Sequence, residues 1–291
     1  MSEEFQFVPD FVEIAGRRIH YAKAGSGPPI ILLHGLGRSL FQWEEHFPEL
    51  AKTNTVYAFD FPGFGQSEPL YRHEMSIFSA TVFIEQFRRH FDIENPVLLG
   101  GSLGGLAALD YALEFSGNIS KLILMGSAGL SKDIKFAYRL LTLPGVGELW
   151  KYLDYHGIED AENWISRASA VPKIGKILGA IFEYALTPPE PARLKNTREE
   201  NRGTFLKLFR HGFGLRGQKK AIRRDDKLHR IEVPTLVIWG ELDPLFSVEQ
   251  ARRASTLFQD CKLYIFKNAG HWPARENPEE FNKVVKEFIA S

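Results

Sequence analysis

Short apolar runs punctuate the chain. "PPIILLHG" (28–35), "TVYAFD" (55–60), "PVLLGGS" (96–102) and "KLILMGSA" (121–128) end in Gly, Asp, Ser or Ala rather than alternating with polar residues. A run that is apolar at every position is buried on both faces, as parallel strands are. Between these runs lie longer helical stretches at Phe41–Ala51, Met75–Phe91 and Leu103–Phe115. The alternation predicts an α/β fold, a mostly parallel sheet with helices on both faces. Ahead of it, "FVEIAGRRIHYA" (11–22) alternates around Ala15-Gly16 and reads as a hairpin. The rhythm stops after Gly129 for roughly eighty residues, a long gap for a plain connection. The gap holds amphipathic helix instead: "KIGKILGAIFEYAL" sets Ile174, Ile177, Leu178, Ile181 and Phe182 on one face, and Pro188, Pro189 and Pro191 stop it. The rhythm returns with "PTLVIWGE", "SVEQARRASTLF" and "KLYIFKNAG", and a last helix begins at Pro278 behind Asn277. The expected division is core over 1–130, helical cap over 131–213 and core again over 214–291.

Composition narrows the class. The 291 residues balance 36 basic against 36 acidic side chains, so no net field draws the protein to nucleic acid or anionic lipid. The one cysteine, Cys261, permits no internal disulfide and reads as a small core residue. The start "MSEEFQFVPD" lacks the basic and apolar regions of a signal peptide, and no apolar run reaches membrane length. A cytoplasmic chain without membrane insertion or nucleic-acid partner is expected. The basic stretch "HGFGLRGQKKAIRRDDKLHR" (211–230) has few aromatics and reads as a solvated helix. No metal-ligand spacing and no phosphate loop occurs, so no cofactor is expected.

The candidate chemistry begins at "GGSLG" (100–104). Gly100, Ser102 and Gly104 form G-x-S-x-G between a strand and a helix, the pattern of a sharp turn that pushes a serine hydroxyl out of the sheet edge. A serine needs a base, usually a histidine steadied by a carboxylate. His271, in "FKNAGHWPARENP", follows the last strand. Asp243, in "VIWGELDPLF", follows the preceding one, with Glu241 as its rival. The order Ser, Asp, His at strand carboxyl ends fits an acyl-transfer site. An oxyanion needs backbone donors. The N–H of Leu103 is one, and Leu36 in "ILLHGLG" is the other, with the His34 side chain tying the turn.

The motifs "HGLG" (34–37), "DFPGFGQS" (60–67), "GGSLGG" (100–105), "WGELD" (239–243) and "GHWP" (270–273) resemble those of the α/β-hydrolase superfamily with a helical cap, over nearly the whole chain outside the insertion. The resemblance implies a triad of Ser102, Asp243 and His271, a cap between the sixth and seventh core strands, and a structural Asp60. Serine at 102 argues against members that open epoxides or cleave carbon–halogen bonds, which use aspartate. Hydrolases of carbon–carbon bonds in ring-fission products share a "GHW"-like ending, matched by Trp272. They usually carry asparagine before the serine and proline-glycine after the "HGxG" loop, where this chain has Gly101 and Arg38-Ser39. Arg198 and Arg202, near the end of the cap, read as solvated, with binding of a substrate carboxylate as the alternative.

The expected activity is hydrolysis of carboxylic esters of small to medium, largely apolar acids through an acyl-enzyme. Gly35, Gly101 and Trp272 are expected in the pocket. Phe136, Leu140, Leu141, Trp150, Tyr152, Trp164, Ile177, Ile181 and Phe182 supply an apolar cap stripe. The alternatives are a carbon–carbon bond hydrolase with the same triad and a non-enzymatic receptor for a small ester.

Overall fold

The computed structural model describes residues 6–69, 77–148 and 206–291. Ten strands fall in them: β1 (Pro9–Ile14), β2 (Arg17–Ala24), β3 (Pro29–Leu33), β4 (Thr55–Phe59), β5 (Val97–Gly101), β6 (Lys121–Met125), the two-residue pair β7 (Phe213–Gly214) and β8 (Gly217–Gln218), then β9 (Thr235–Gly240) and β10 (Cys261–Phe266). Eight of them form one sheet in the order β1-β2-β4-β3-β5-β6-β9-β10. β1 and β2 pair antiparallel, as does β2 with β4, and every other pair is parallel. The β1–β2 turn puts Ala15 and Gly16 at φ 51° and 72°, the positive pair that a two-residue hairpin requires.

The unbroken apolar runs have a direct structural cause. Successive strand residues enter two separate cores. Ile31 and Leu33, Leu122 and Leu124, and Val237 and Trp239 face one core. Ile30 and Leu32, Ile123 and Met125, and Leu236 and Ile238 face the other. Helices α2 (Ile77–His90), α3 (Leu103–Glu114) and α5 (Val248–Ser255) close the first side through Phe83, Ile84, Phe87, Leu106, Ala251 and Ala254. Helices α1 (Phe47–Ala51) and α6 (Pro278–Ala290) close the second through Phe47, Leu50, Phe281, Val285 and Phe288. Asn277 stands at the α6 N-cap without a side-chain cap bond, so Pro278 and the acidic first turn mark that start.

Three local expectations change. The Phe41–Ala51 stretch is not one helix. A 3-10 turn at Leu40–Trp43 and α1 are separate, because Pro48 fits only the first turn of a helix. The basic stretch 211–230 is not a solvated helix either. After a helical segment at 206–212 it forms the β7–β8 hairpin and 3-10 turns at Lys220–Ile222 and Leu228–Arg230. Its Arg224 is buried and grips Asp110 of α3 with two bonds, Nε to Oδ1 and Nη2 to Oδ2, the latter 2.9 Å. Thirdly, Phe136 opens the short helix α4 (Phe136–Arg139) with its side chain 60% exposed. Within α4 it is Tyr138 that takes the inward face, which leaves position 136 outward, and Ile134 and Leu141 are buried on either side of the helix.

β6 and β9 are neighbours in the sheet, with residues 126–234 between them in sequence. The chain thus leaves the sheet after the sixth strand and returns at the seventh of its eight. Arg198 and Arg202 lie outside the described residues, as do Trp150, Tyr152, Trp164, Ile177, Ile181 and Phe182 of the cap stripe.

The Arg224–Asp110 pair gives a stability test. Asp110→Ala leaves a buried guanidinium without its partner, which costs about 3–5 kcal/mol, whereas replacing both by apolar residues of similar size costs far less. Urea unfolding of Asp110→Ala and of the double variant Asp110→Leu/Arg224→Met checks both, and equal losses would contradict the reading.

Candidate active site

Four loops meet at the carboxyl edge of the parallel strands. They follow β3, β5, β9 and β10 and carry Leu36, Ser102, Asp243 and His271. This is the edge where open α/β sheets place their sites.

Ser102 joins β5 to α3 with φ 54° and ψ −112°, a conformation costly for any residue with a Cβ. Three backbone bonds hold it there. Its N–H donates to the Met125 carbonyl at 2.9 Å, and its carbonyl accepts from Leu106 at 3.2 Å and Ala128 at 3.1 Å. The flanking glycines follow from crowding. A Cβ on Gly104 would run into the Leu33 and His34 carbonyls, and one on Gly100 into the Gly104 carbonyl.

His271 and Asp243 are both buried, and Nδ1 of the imidazole lies 2.7 Å from Asp243 Oδ2. A carboxylate only accepts, so Nδ1 carries the proton and Nε2 of the neutral ring is left as the basic nitrogen. The other carboxylate oxygen accepts from the Leu245 and Phe246 N–H groups at 2.8 and 2.9 Å, which fixes the acid on its own turn. Lys135 Nζ donates to the Asp243 carbonyl at 2.6 Å, and the Lys135 N–H to Leu245 O at 3.0 Å. Nothing in the sequence signalled this contribution from the stretch after β6. Glu241, the rival acid, instead accepts from the Asn268 N–H at 3.3 Å in an exposed position.

The loop after β3 is held just as firmly. His34 is buried; its Nε2 accepts from the Phe61 N–H at 3.0 Å, so Nδ1 donates to Gly35 O at 2.8 Å. Burial holds the His34 imidazole below its ordinary pKa, consistent with a neutral ring accepting at Nε2. The Arg38 N–H reaches the same Gly35 carbonyl at 3.1 Å. In a trans peptide the carbonyl of one residue and the N–H of the next point in opposite directions. Fixing the Gly35 carbonyl therefore aims the Leu36 N–H. Among the described residues no group accepts from the N–H of Leu36 or of Leu103, the first residue of α3.

Asp60 is wholly buried. Its carboxylate takes His20 Nδ1 at 2.7 Å, the Leu40 N–H at 2.6 Å and the Gln66 N–H at 2.8 Å. With every partner in the scaffold, it braces the loop after β3. The indole of Trp272 covers the glycines beside the serine. A Cβ on Gly101 would lie 2.5 Å from its Cζ3, and a Cβ on Gly35 3.0 Å from its Cη2 and 3.4 Å from Ser102 Cβ. Among the described residues no cluster of three His, Cys, Asp or Glu could hold a metal ion, and no helix is long and apolar enough to cross a membrane.

The chain belongs to the alpha/beta hydrolase fold family, whose sequence model matches residues 28–278. It is similar to the 2-hydroxy-6-oxo-6-(2'-aminophenyl)hexa-2,4-dienoic acid hydrolase of Metapseudomonas resinovorans, 29% identical over 300 residues that cover 99% of this chain and 92% of that protein. A crystal structure of a serine hydrolase involved in carbazole degradation superposes with a TM-score of 0.68 at 27% identity, covering 98% of this chain and 99% of that one. Carboxylesterase CesB of Bacillus subtilis shares the fold, with a TM-score of 0.68 at 20% identity over 98% and 92% of the two chains. Family and relatives make the protein a hydrolase.

The two carboxylates are separable by experiment. Asp243→Asn disturbs the histidine tautomer and should lower kcat about 10⁴-fold. Glu241→Gln, which touches only the exposed Asn268 N–H, should change kcat less than about threefold, a mild effect expected of a surface substitution. Steady-state rates of both variants decide, and a larger loss at Glu241 would transfer the acid role to that residue.

Proposed function

We propose that this hydrolase cleaves carboxylic esters of small to medium, largely apolar acids through an acyl-enzyme. The observation that carries the reading is the 2.7 Å His271–Asp243 contact on the same sheet edge as a backbone-strained Ser102. Ser102 Oγ attacks the ester carbonyl while His271 Nε2 takes its proton. Asp243 holds Nδ1–H and stabilises the imidazolium. The N–H groups of Leu36 and Leu103 receive the oxyanion. His271 then protonates the leaving alcohol. A water molecule, deprotonated by the same nitrogen, attacks the acyl carbonyl; the bond to Ser102 Oγ breaks, the acid leaves, and the imidazolium returns its proton to Ser102 Oγ. The reaction takes place in the cytoplasm, a location supported by the single cysteine.

The preference for esters rests on position 101. The carbon–carbon hydrolases that this chain resembles usually place asparagine there. Here the indole of Trp272 fills the volume that any side chain at 101 would need. The wall beside the serine is thus aromatic. A second reading, hydrolysis of ring-fission diketones, is favoured by the Metapseudomonas relative, whose name gives that substrate class. The same triad serves both.

Ser102→Ala should lower kcat on the order of 10⁶-fold for either substrate class. A purified variant keeping a tenth of the activity would remove Ser102 from the mechanism. Chain length tests the pocket. Each buried methylene adds at most about 0.8 kcal/mol, so kcat/KM for p-nitrophenyl esters should rise from acetate to butyrate or hexanoate. It should then fall once the pocket is full. A flat profile, or one still rising at sixteen carbons (a limit set by the assay), would exclude a closed apolar pocket. A ring-fission diketone with higher kcat/KM than every ester would select the second reading.

A further inference from the structure

The Gly35 N–H, within the loop after β3, donates to Gln42 Oε1 at 2.9 Å. Of the two ends of a side-chain amide only the oxygen accepts, so this bond settles which end of Gln42 is which. The other end, Nε2, is buried and has no hydrogen-bond partner among the described residues. A buried donor left unmade costs about 1–3 kcal/mol, and native proteins keep few of them. Gln42 does not drift into this position. It sits on the Leu40–Trp43 turn, whose first N–H is held by the buried Asp60 carboxylate and whose Leu40 and Trp43 are fully buried. The side chain reaches Gly35, the residue whose Cβ position would be 3.4 Å from Ser102 Cβ. A second buried donor without a partner among the described residues, the indole Nε1 of Trp272, belongs to the ring lying over the same glycine. Two side chains with an unmade donor, Gln42 and Trp272, thus meet at Gly35.

We propose that Gln42 is a specificity residue whose amide Nε2–H receives an acceptor oxygen carried by the substrate close to its scissile carbonyl: an ether, keto or carboxylate oxygen. This rests on the reading of Ser102 and the Leu36 loop as an acyl-transfer site, and narrows its substrates to acids bearing such an oxygen. The site satisfies the donor only when the acceptor arrives, so an isosteric acid with CH₂ in place of oxygen leaves it unmade. Sites built to hydrogen-bond a substrate discriminate in this way.

The test measures binding, independently of turnover. Calorimetry on Ser102→Ala protein compares 4-nitrophenyl methoxyacetate with the isosteric 4-nitrophenyl butyrate. The methoxy ester should bind about fivefold more tightly, the effect of one net hydrogen bond. In Ser102→Ala/Gln42→Met that ratio should fall to about one. Gln42→Glu, in the same Ser102→Ala background, keeps an acceptor for the Gly35 N–H but loses the donor, and should lose the preference too. It serves if the methionine variant does not fold. Equal binding of the two esters with Gln42 intact, no measurable binding of the methoxy ester, or a preference that survives loss of the amide would each overturn the assignment. Hydrolysis of both esters by the wild-type protein is read separately. Its absence would defeat the ester reading, while the binding ratio alone decides the role of Gln42.

Discussion

Helix α3 begins closer to the end of β3 than a side chain allows. Gly104 lies against the Leu33 and His34 carbonyls, and much of the site follows from that contact. The helix can come so near only if the chain turns within one residue after β5. That residue, Ser102, takes up the whole change of direction in its own φ and ψ. The neighbouring strand then supplies the restraint, through the Met125 carbonyl and the Ala128 N–H. The hydroxyl consequently stands on a rigid support, and the helix N-terminus with its N–H groups is directed at the same point. The placement of Ser102 is a property of backbone packing before any side-chain chemistry begins.

A second layer of polar contacts transmits this rigidity sideways. The Asp60 carboxylate joins strand β2, the 3-10 turn and the loop after β4 through His20, Leu40 and Gln66. His34 and Arg38 fix one face of the Gly35 peptide, and Gln42 fixes the preceding N–H. On the other side of the serine, the Asp243 turn is held by its own Leu245 and Phe246 N–H groups and by Lys135 from the segment leaving β6. Buried polar groups with satisfied partners are costly to rearrange. Each loop of the site is therefore anchored by a different part of the chain.

Much of this was legible in the sequence because it is written in local pattern. Unbroken apolar runs marked the doubly covered parallel strands. The G-x-S-x-G turn located Ser102, and chain order placed Asp243 and His271 on the same edge. What was not legible depends on distant pairing. The stretch 211–230 carries charges at a density typical of a solvated helix, and nothing near Arg224 reveals that it is buried against Asp110. Phe136 has the composition of a core residue, but a helix one turn long has room for only one inward row. Gln42 and Lys135 are ordinary polar residues in sequence. Their importance comes from what the fold sets beside them.

The separation of β6 from β9 by residues 126–234 has a kinetic side. Strands β1 to β6 are joined by shorter connections, and the entropy of closing a loop grows with its length. The last two strands must find their place across the whole insertion. They carry Asp243 and His271, whereas Ser102 and Leu36 belong to the early part. A chain in which only β1 to β6 had paired would hold Ser102 without Asp243 or His271 beside it. Because synthesis runs from the N-terminus, Ser102 leaves the ribosome well before Asp243 and His271.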